Sequence, residues 1–461
     1  MIQLTLAEVA DATGGRVVGD PTRTVDAIAT DSRDLPGGAP LFVALRGESA
    51  DGHRYVGDVL DRGAVALVEQ AGDHAGGLVV VDDTWQAIRD LGAHVRQRVA
   101  PIAVAVTGSV GKTTVKDLTA AAVSAGRKVS ASRGSFNNEL GVPLTLLGLD
   151  HGDEVLVAEI GARHVGDIAD LAALVAPDVA IVTAVAGVHL EVFGSIDAVE
   201  RAKRELVESL GPAGIAVLNG ADPRVAAMAS HAPSVLTVGS PDADLTAADV
   251  RLDGSARPIF TARTPWGDTE VHVGVAGRHQ VGNALLALAV AGHLGVDLVA
   301  AAEGIGGASV SPWRGEVTRR GGLTVCNDAY NANPTSVLAA LDTLTTLAAD
   351  GRSIAVLGEM AEIGPTSADE HRRVGGELAD LAVQRLVVVG DAAAPLAEGA
   401  IDAGMDPAAV AQVTDAAAAA DHLAGDLRSG DVVLVKASRV AGLEAVAARL
   451  LDPDTPEVAA T

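Results

Sequence analysis

The sequence predicts an α/β protein: a central parallel-sheet domain, flanked by a smaller N-terminal α/β domain and a C-terminal Rossmann-like α/β domain. Three observations carry this. Short apolar strands alternate with helical stretches along the chain, which argues for parallel sheets covered on both faces. A strand of small and β-branched residues near residue 102 runs into a glycine-bearing turn and then a helix. The alternation restarts after Pro312. At 461 residues and roughly 150 residues per domain, the expected division is 1–98, 99–312 and 313–461.

In the first stretch, Val25–Ala29, Leu41–Leu45, Ala64–Glu69 and Leu78–Val81 read as strands, and Leu6–Thr13, Tyr55–Arg62 and Thr84–Val99 as helices. Pro101 opens the second pattern. Ile102–Val106 reads as a buried strand, Lys112–Ala125 as the helix after it, and Glu154–Glu159, Val179–Val182, Ile215–Leu218 and Val235–Val238 as further strands. Asp244–Val275 has the look of an antiparallel insertion, and Gln280–Leu294 of a helix rich in alanine and leucine. The third stretch reads as strand Thr324–Asn327, helix Thr335–Ala348, strand Ile354–Leu357, helix Ala368–Leu381, and strands Arg385–Val389 and Val432–Val435. The alanine run Ala416–Ala420 is read as a helix and the tail from Asp452 as frayed.

Composition excludes several classes. With 48% hydrophobic and 20% charged residues the chain is globular rather than disordered. A net charge of −26 repels nucleic acid and anionic membranes, so an anionic substrate would need local cations and backbone amides. A single cysteine, Cys326, rules out an intrachain disulfide framework and a cysteine-based zinc site. The first residues lack the basic-then-apolar pattern of a signal peptide, and no apolar run reaches the roughly 20 residues of a membrane span. A cytoplasmic monomer without membrane insertion is expected. Of 34 basic residues only five are lysines, Lys112, Lys116, Lys128, Lys203 and Lys436. Composition bias alone would leave a few, but three of the five fall in the motifs below.

Thr107-Gly108-Ser109-Val110-Gly111-Lys112-Thr113-Thr114 lies between the buried strand and its helix, the context of a phosphate loop. Glycines let the backbone turn its N–H groups toward phosphate oxygens, and the helix start adds partial positive charge. Lys112 would reach the terminal phosphates and the Thr113 hydroxyl would ligate Mg²⁺. Val106 stands where the full P-loop pattern has its first glycine. These eight residues resemble the loop of the Mur ligase superfamily, ATP-dependent enzymes that form amide bonds through acyl phosphates. Val110 stands where that family usually has asparagine. Partition-type ATPases have a similar loop with an additional lysine before the first glycine, where this chain has Thr107. Those are switches that bind DNA or membrane, which the acidic charge disfavours.

On their own, Glu159 at a strand end reads as a helix cap as readily as a ligand, His189 as a loop histidine, and Lys203 as part of a charged helix face. The resemblance implies more. Glu159 and His189 match the superfamily's metal positions, and Ala202-Lys203-Arg204-Glu205 its Ala-Lys-x-Glu motif, whose lysine reacts with CO₂. The resulting carbamate would help Thr113, Glu159 and His189 hold two Mg²⁺. That chemistry needs a primary amine, which arginine cannot supply. By the same resemblance Asp31, Ser32, Arg33, Gly47, Asp51 and His53 belong to a uridine-nucleotide domain, and Asn137 and Asn138 to a muramoyl-peptide segment. Asn283 and Arg314 fall near the nucleotide, with Gln280 replacing a family asparagine; Asp328 and Asn331 contact the nucleotide, and Lys436 and Arg439 face the substrate.

The likeness runs from Asp31 to Arg439. Within the superfamily, Asn137-Asn138-Glu139-Leu140-Gly141-Val142-Pro143 and Asp328-Ala329-Tyr330-Asn331-Ala332-Asn333 are most similar to the branch that adds D-alanyl-D-alanine to a UDP-N-acetylmuramoyl-tripeptide in peptidoglycan precursor synthesis. The Asp-Asn-Pro-Arg motif of the branch that adds the diamino acid is absent. Lys112, Lys203, His189 and Arg314 are the implied catalytic groups, and ATP and Mg²⁺ the implied cofactors. Two other readings stay open on the sequence: a related ligase adding a single amino acid or glutamate, and a P-loop nucleotide-switch binding module.

Overall fold

A computed structural model describes residues 1–47, 50–74, 76–349 and 351–452. The expected fraying after Asp452 lies outside these residues. The centre is a six-stranded, all-parallel sheet in the order Val235–Val238, Ile215–Asn219, Val179–Val182, Ile102–Thr107, Val155–Glu159, Val129–Ala131. Strand period decides which side chains go where. Val104 and Val106 pack under helices Lys112–Ser124, Gln280–His293 and Leu298–Gly306, whereas Ala103 and Ala105 pack under Thr84–Val99, Gly141–Leu147 and Asp167–Val175. With both faces covered, the strand is apolar at every interior position. The chain leaves Ile102–Thr107 for the edge strand, returns through Val155–Glu159, then crosses to Val179–Val182 on the other side. Such a reversal opens a crevice at the carboxyl ends of the strands, here after Thr107, Glu159 and Val182.

The N-terminal sheet has five strands, ordered Arg16–Val18, Leu78–Val80, Val65–Val68, Pro40–Val43, Ala27–Ala29, with only Arg16–Val18 antiparallel. The predicted strand Val25–Ala29 is divided at Asp26, whose carboxylate accepts from Ala39 N at 2.9 Å. Thr24–Val25 therefore pairs with Leu4–Thr5, and Ala27–Ala29 with the main sheet. Helix Thr84–Val99 starts where Asp83 accepts from Trp85 N and Gln86 N, and it buries Ala87, Ile88, Leu91 and Val95 at helical spacing. That face joins the cores of the first two domains into one cluster with Leu4, Leu41, Leu67 and Leu156. Residues 246–272 form the expected antiparallel insertion of three strands.

The C-terminal sheet is ordered Glu316–Arg320, Leu323–Asn327, Val432–Lys436, Ser353–Leu357, Arg385–Val389, Val410–Val413, parallel except for its first hairpin. Its two edge strands are the ones the sequence did not announce, because edges carry polar residues such as Arg319 and Gln412 that blur the apolar pattern. Its two cores are drawn only from residues 317–451. Among the described residues no helix is long and apolar enough to cross a membrane.

Candidate active site

A cavity of about 980 Å³ opens at the carboxyl ends of the central strands, lined by side chains from all three sheets' domains. The phosphate loop forms one wall. Its shape is held by its own polar groups: Ser109 N donates to Ala184 O at 2.8 Å, Ser109 Oγ donates to Ala186 O at 3.0 Å, and Thr107 Oγ1 donates to Ile160 O at 2.8 Å. Thr183 Oγ1 donates to Val110 O, so the carbonyl at the position that departs from the family pattern is held whatever its side chain. Lys112 Nζ lies 2.7 Å from Gly108 O, and burial lowers its pKa against the pull of Glu159.

Gly108 has φ 145°, and a Cβ there would stand 2.0 Å from Thr183 Oγ1. Gly108→Ala is therefore expected to distort the loop, at a cost of about 1–3 kcal/mol for the backbone alone. The check is thermal unfolding with and without ATP: the rise in Tm on adding nucleotide should vanish in the variant.

Beyond the loop, one network ties four chain segments together. Thr113 Oγ1 donates to Glu159 Oε2 at 2.7 Å, and Asn137 Nδ2 donates to Glu159 Oε1 at 2.7 Å. Ser135 Oγ sits 3.2 Å from Thr113 Oγ1 and accepts from Arg314 Nη2 at 2.8 Å. The Arg314 guanidinium lies 4.0 Å over Tyr330, and its Nε is buried without a hydrogen-bond partner among the described residues. Lys203 projects from helix Ile196–Glu208 into the same cavity and is 2% exposed. Among the described residues its Nζ has no hydrogen bond or ion pair; its recorded contact is the face of Phe193, 5.9 Å away. Burial, with Lys112 adding repulsion, brings the amine down to about 7.

His189, in the left-handed region at φ 51°, pairs through Nδ1 with Glu362 of the C-terminal domain. Glu362 also meets Arg163 at 3.4 Å. Burial outweighs that carboxylate and lowers the His189 pKa, favouring the neutral ring that a metal requires. Among the described residues no three His, Cys, Asp or Glu side chains converge as a ready-made metal cluster.

Asn283, Arg314, Asp328, Asn331, Asn138 and Lys436 line the cavity as well. Gln280 keeps the element together despite its departure from the family asparagine. Its Oε1 accepts from Asn283 Nδ2 at 2.7 Å, and its Nε2 lies 3.0 Å from His279 Nε2. Lys436, expected to face substrate, spends its charge on Asp328 at 2.6 Å and donates to Asn331 O at 2.9 Å, so it shapes the loop of Asp328 and Asn331. Arg439 does not reach the cavity: it stacks 4.4 Å from Trp313 and pairs with Glu444. The uridine-type set is likewise apart from the cavity. Asp31 and Arg33 pair at 2.7 Å on the surface, Ser32 O accepts from Arg62, Gly47 N donates to Ala50 O, and Asp51 holds His53 Nδ1 at 2.8 Å. Sequence reasoning missed Ser135, Thr183 and Glu362, ordinary polar residues whose only signal is spatial.

Cys326 is buried and its thiol is pushed up to about 12 by burial. Since the thiolate is the reactive form, the native protein is expected to resist iodoacetamide at pH 8, with labelling only after denaturation; mass spectrometry reads the outcome.

The chain matches the Mur ligase family catalytic domain over residues 24–106, the Mur ligase middle domain over 106–291, and the Mur ligase glutamate ligase domain over 313–439. It is 39% identical to the UDP-N-acetylmuramoyl-tripeptide–D-alanyl-D-alanine ligase of Mycobacterium bovis, covering 99% of both chains. The crystal structure of MurF from Acinetobacter baumannii superposes with a TM-score of 0.89 at 32% identity, covering 97% of this chain and 98% of that one. The MurF ligase of Thermotoga maritima in complex with ADP gives 0.80 at 26%, covering 92% and 96%. With the three domains matched in order and the identity running end to end, this chain belongs to the Mur ligase family.

Proposed function

We propose that the protein is an ATP-dependent ligase that joins the amine of D-alanyl-D-alanine to the terminal carboxylate of a UDP-N-acetylmuramoyl-tripeptide, in the cytoplasm and as a monomer. The observation that carries this is the 39% identity across 99% of a relative bearing that activity in its name. The cavity chemistry supports it: a phosphate loop, a buried lysine and a carboxylate–hydroxyl pair face one space. We assign residues 1–98 to the UDP moiety, 99–312 to ATP and 313–461 to closure.

The donor set fits Mg²⁺. Glu159 and Thr113 offer hard oxygens side by side, and a magnesium shell is commonly completed by phosphate oxygens and water rather than by a full protein cage. Thr113, Glu159, His189 and carbamylated Lys203 would hold it, and bound Mg²⁺ would neutralise charge on the transferring phosphoryl group. This chain's own residues do the remaining work. The loop amides and Lys112 orient the triphosphate, with Asn283, Asp328 and Asn331 around the nucleotide. Asn137 and Asn138 position the peptide so that its carboxylate attacks the γ-phosphate, releasing ADP and giving an acyl phosphate; the dipeptide amine then attacks the acyl carbon, expels inorganic phosphate and loses a proton to leave the amide. Arg314 supplies positive charge where phosphate leaves. Proximity accounts for much of the rate, since neither step uses a protein nucleophile.

Phosphate release by the purified protein tests the assignment. Turnover should require ATP, UDP-N-acetylmuramoyl-tripeptide and D-alanyl-D-alanine together. Turnover with a single amino acid in place of the dipeptide would replace it with a sister ligase activity.

A further inference from the structure

We infer that Arg89 and Asp170 form a subsite for the zwitterionic end of a diaminopimelate side chain, the third residue of the tripeptide. This rests on the ligase reading above. Arg89 is on helix Thr84–Val99 and Asp170 on helix Asp167–Val175, and both line the catalytic cavity. Among the described residues neither side chain has a hydrogen bond or an ion pair. Their charged neighbours are already committed: Arg163 to Glu362 at 3.4 Å, and Asp167 to the amides of Arg163 and His164, each at 2.8 Å. A half-buried guanidinium facing a cavity in a chain of net charge −26, yet left without a carboxylate, has its partner elsewhere. Substrate entry removes water from it, and an unmatched cation is then costly.

The chemistry of the two common diamino acids separates them at this point. Lysine ends in an ammonium alone. Diaminopimelate carries an ammonium and a carboxylate on the same terminal carbon, three methylenes from the carbon that bears the reacting carboxyl. Asp170 answers the ammonium, which both side chains possess. Glu139, also in the cavity and also without a side-chain partner among the described residues, adds negative charge that does not discriminate. Arg89 answers the carboxylate, which only diaminopimelate possesses, and planar bidentate pairing suits a guanidinium. Leu171, beside Asp170 in the lining, offers apolar surface to the methylenes.

The test compares kcat/KM of the full chain, with ATP and D-alanyl-D-alanine, for UDP-N-acetylmuramoyl-tripeptides ending in diaminopimelate or in lysine. A preference of about 30-fold for diaminopimelate is expected, below what a fully enclosed polar contact gives because this one is partly exposed. Arg89→Met keeps the apolar stem and should bring the ratio to within about 3-fold, the loss falling mainly on the diaminopimelate form; Arg89→Gln serves if that variant folds poorly. Asp170→Asn should weaken both forms. Equal use of the two tripeptides by the unmodified protein, or a preference for lysine, overturns the subsite. So does an equal loss on both in Arg89→Met, which would mean that Arg89 holds the free carboxylate of the peptide's glutamate, common to both. If neither tripeptide supports phosphate release at all, the ligase reading itself has failed.

Discussion

Replacing Lys203 with alanine or arginine is expected to lower kcat by about three orders of magnitude, the scale of losing a preorganised charge at a phosphoryl-transfer centre. The amine is 2% exposed, unpaired among the described residues, and brought to about 7 by burial and by Lys112. A lysine in that state is uncharged in about half of the molecules at pH 7, and a neutral amine attacks CO₂: the N–C bond forms, a proton leaves, and an anionic carbamate results. Because the shift is downward from 10.5, the reactive form is present from about pH 7 upward rather than only in strong base. Carbon-13 NMR of protein equilibrated with labelled bicarbonate should show a carbamate signal that grows through about pH 7 and is absent from Lys203→Arg. Arginine keeps the positive charge but stays protonated, so a site needing only a cation would tolerate it. Excess bicarbonate should not restore Lys203→Ala. Near-normal turnover of Lys203→Ala would remove the carbamate from the mechanism.

Arg314→Ala should lower kcat/KM by about 100- to 1,000-fold, and Arg314→Lys should recover little of it. The guanidinium lies over the Tyr330 ring, its Nη2 is on Ser135, and its Nε is buried with no acceptor among the described residues. Native structures rarely leave such a donor unmet, and under the proposed ligase function an ATP phosphate is the acceptor expected there. Lysine can neither stack in the same plane nor fork to two oxygens. A second consequence concerns coupling. Arg314 opens the C-terminal domain, and through Ser135 it reaches Thr113 of the phosphate loop, so nucleotide affinity and domain closure should weaken together in the variant. Small-angle scattering with and without nucleotide, alongside ATP binding by calorimetry, reads both. Unaltered kcat/KM in Arg314→Ala would show that the orphaned Nε has no ligand.

Much of the fold was legible because it is written locally. Leu6–Thr13, Thr84–Val99, Val179–Val182, Val235–Val238 and Arg385–Val389 occupy the residues that periodicity predicts, since each is either amphipathic at one period or apolar throughout. The phosphate loop was legible for the same reason: Gly108 and Gly111 carry positive φ, and the residues around them follow in sequence. Local pattern was misleading where a single polar residue changed partner, as Asp26 did by capturing Ala39 and dividing a strand.

The sequence by itself therefore determined the three α/β domains, the cradle for phosphate and the retention of a primary amine at Lys203, because backbone freedom, burial period and amine chemistry are properties of the residues themselves. Only the tertiary structure decided that His189 meets Glu362, that Arg314 reaches Ser135, that Arg439 turns away to Trp313, and that Arg89 is left facing the cavity without a partner among the described residues. The first two pairings join residues 173 and 179 positions apart. Side-chain period tells which face a residue takes, but the partner waiting there is fixed only when the sheets and helices have packed.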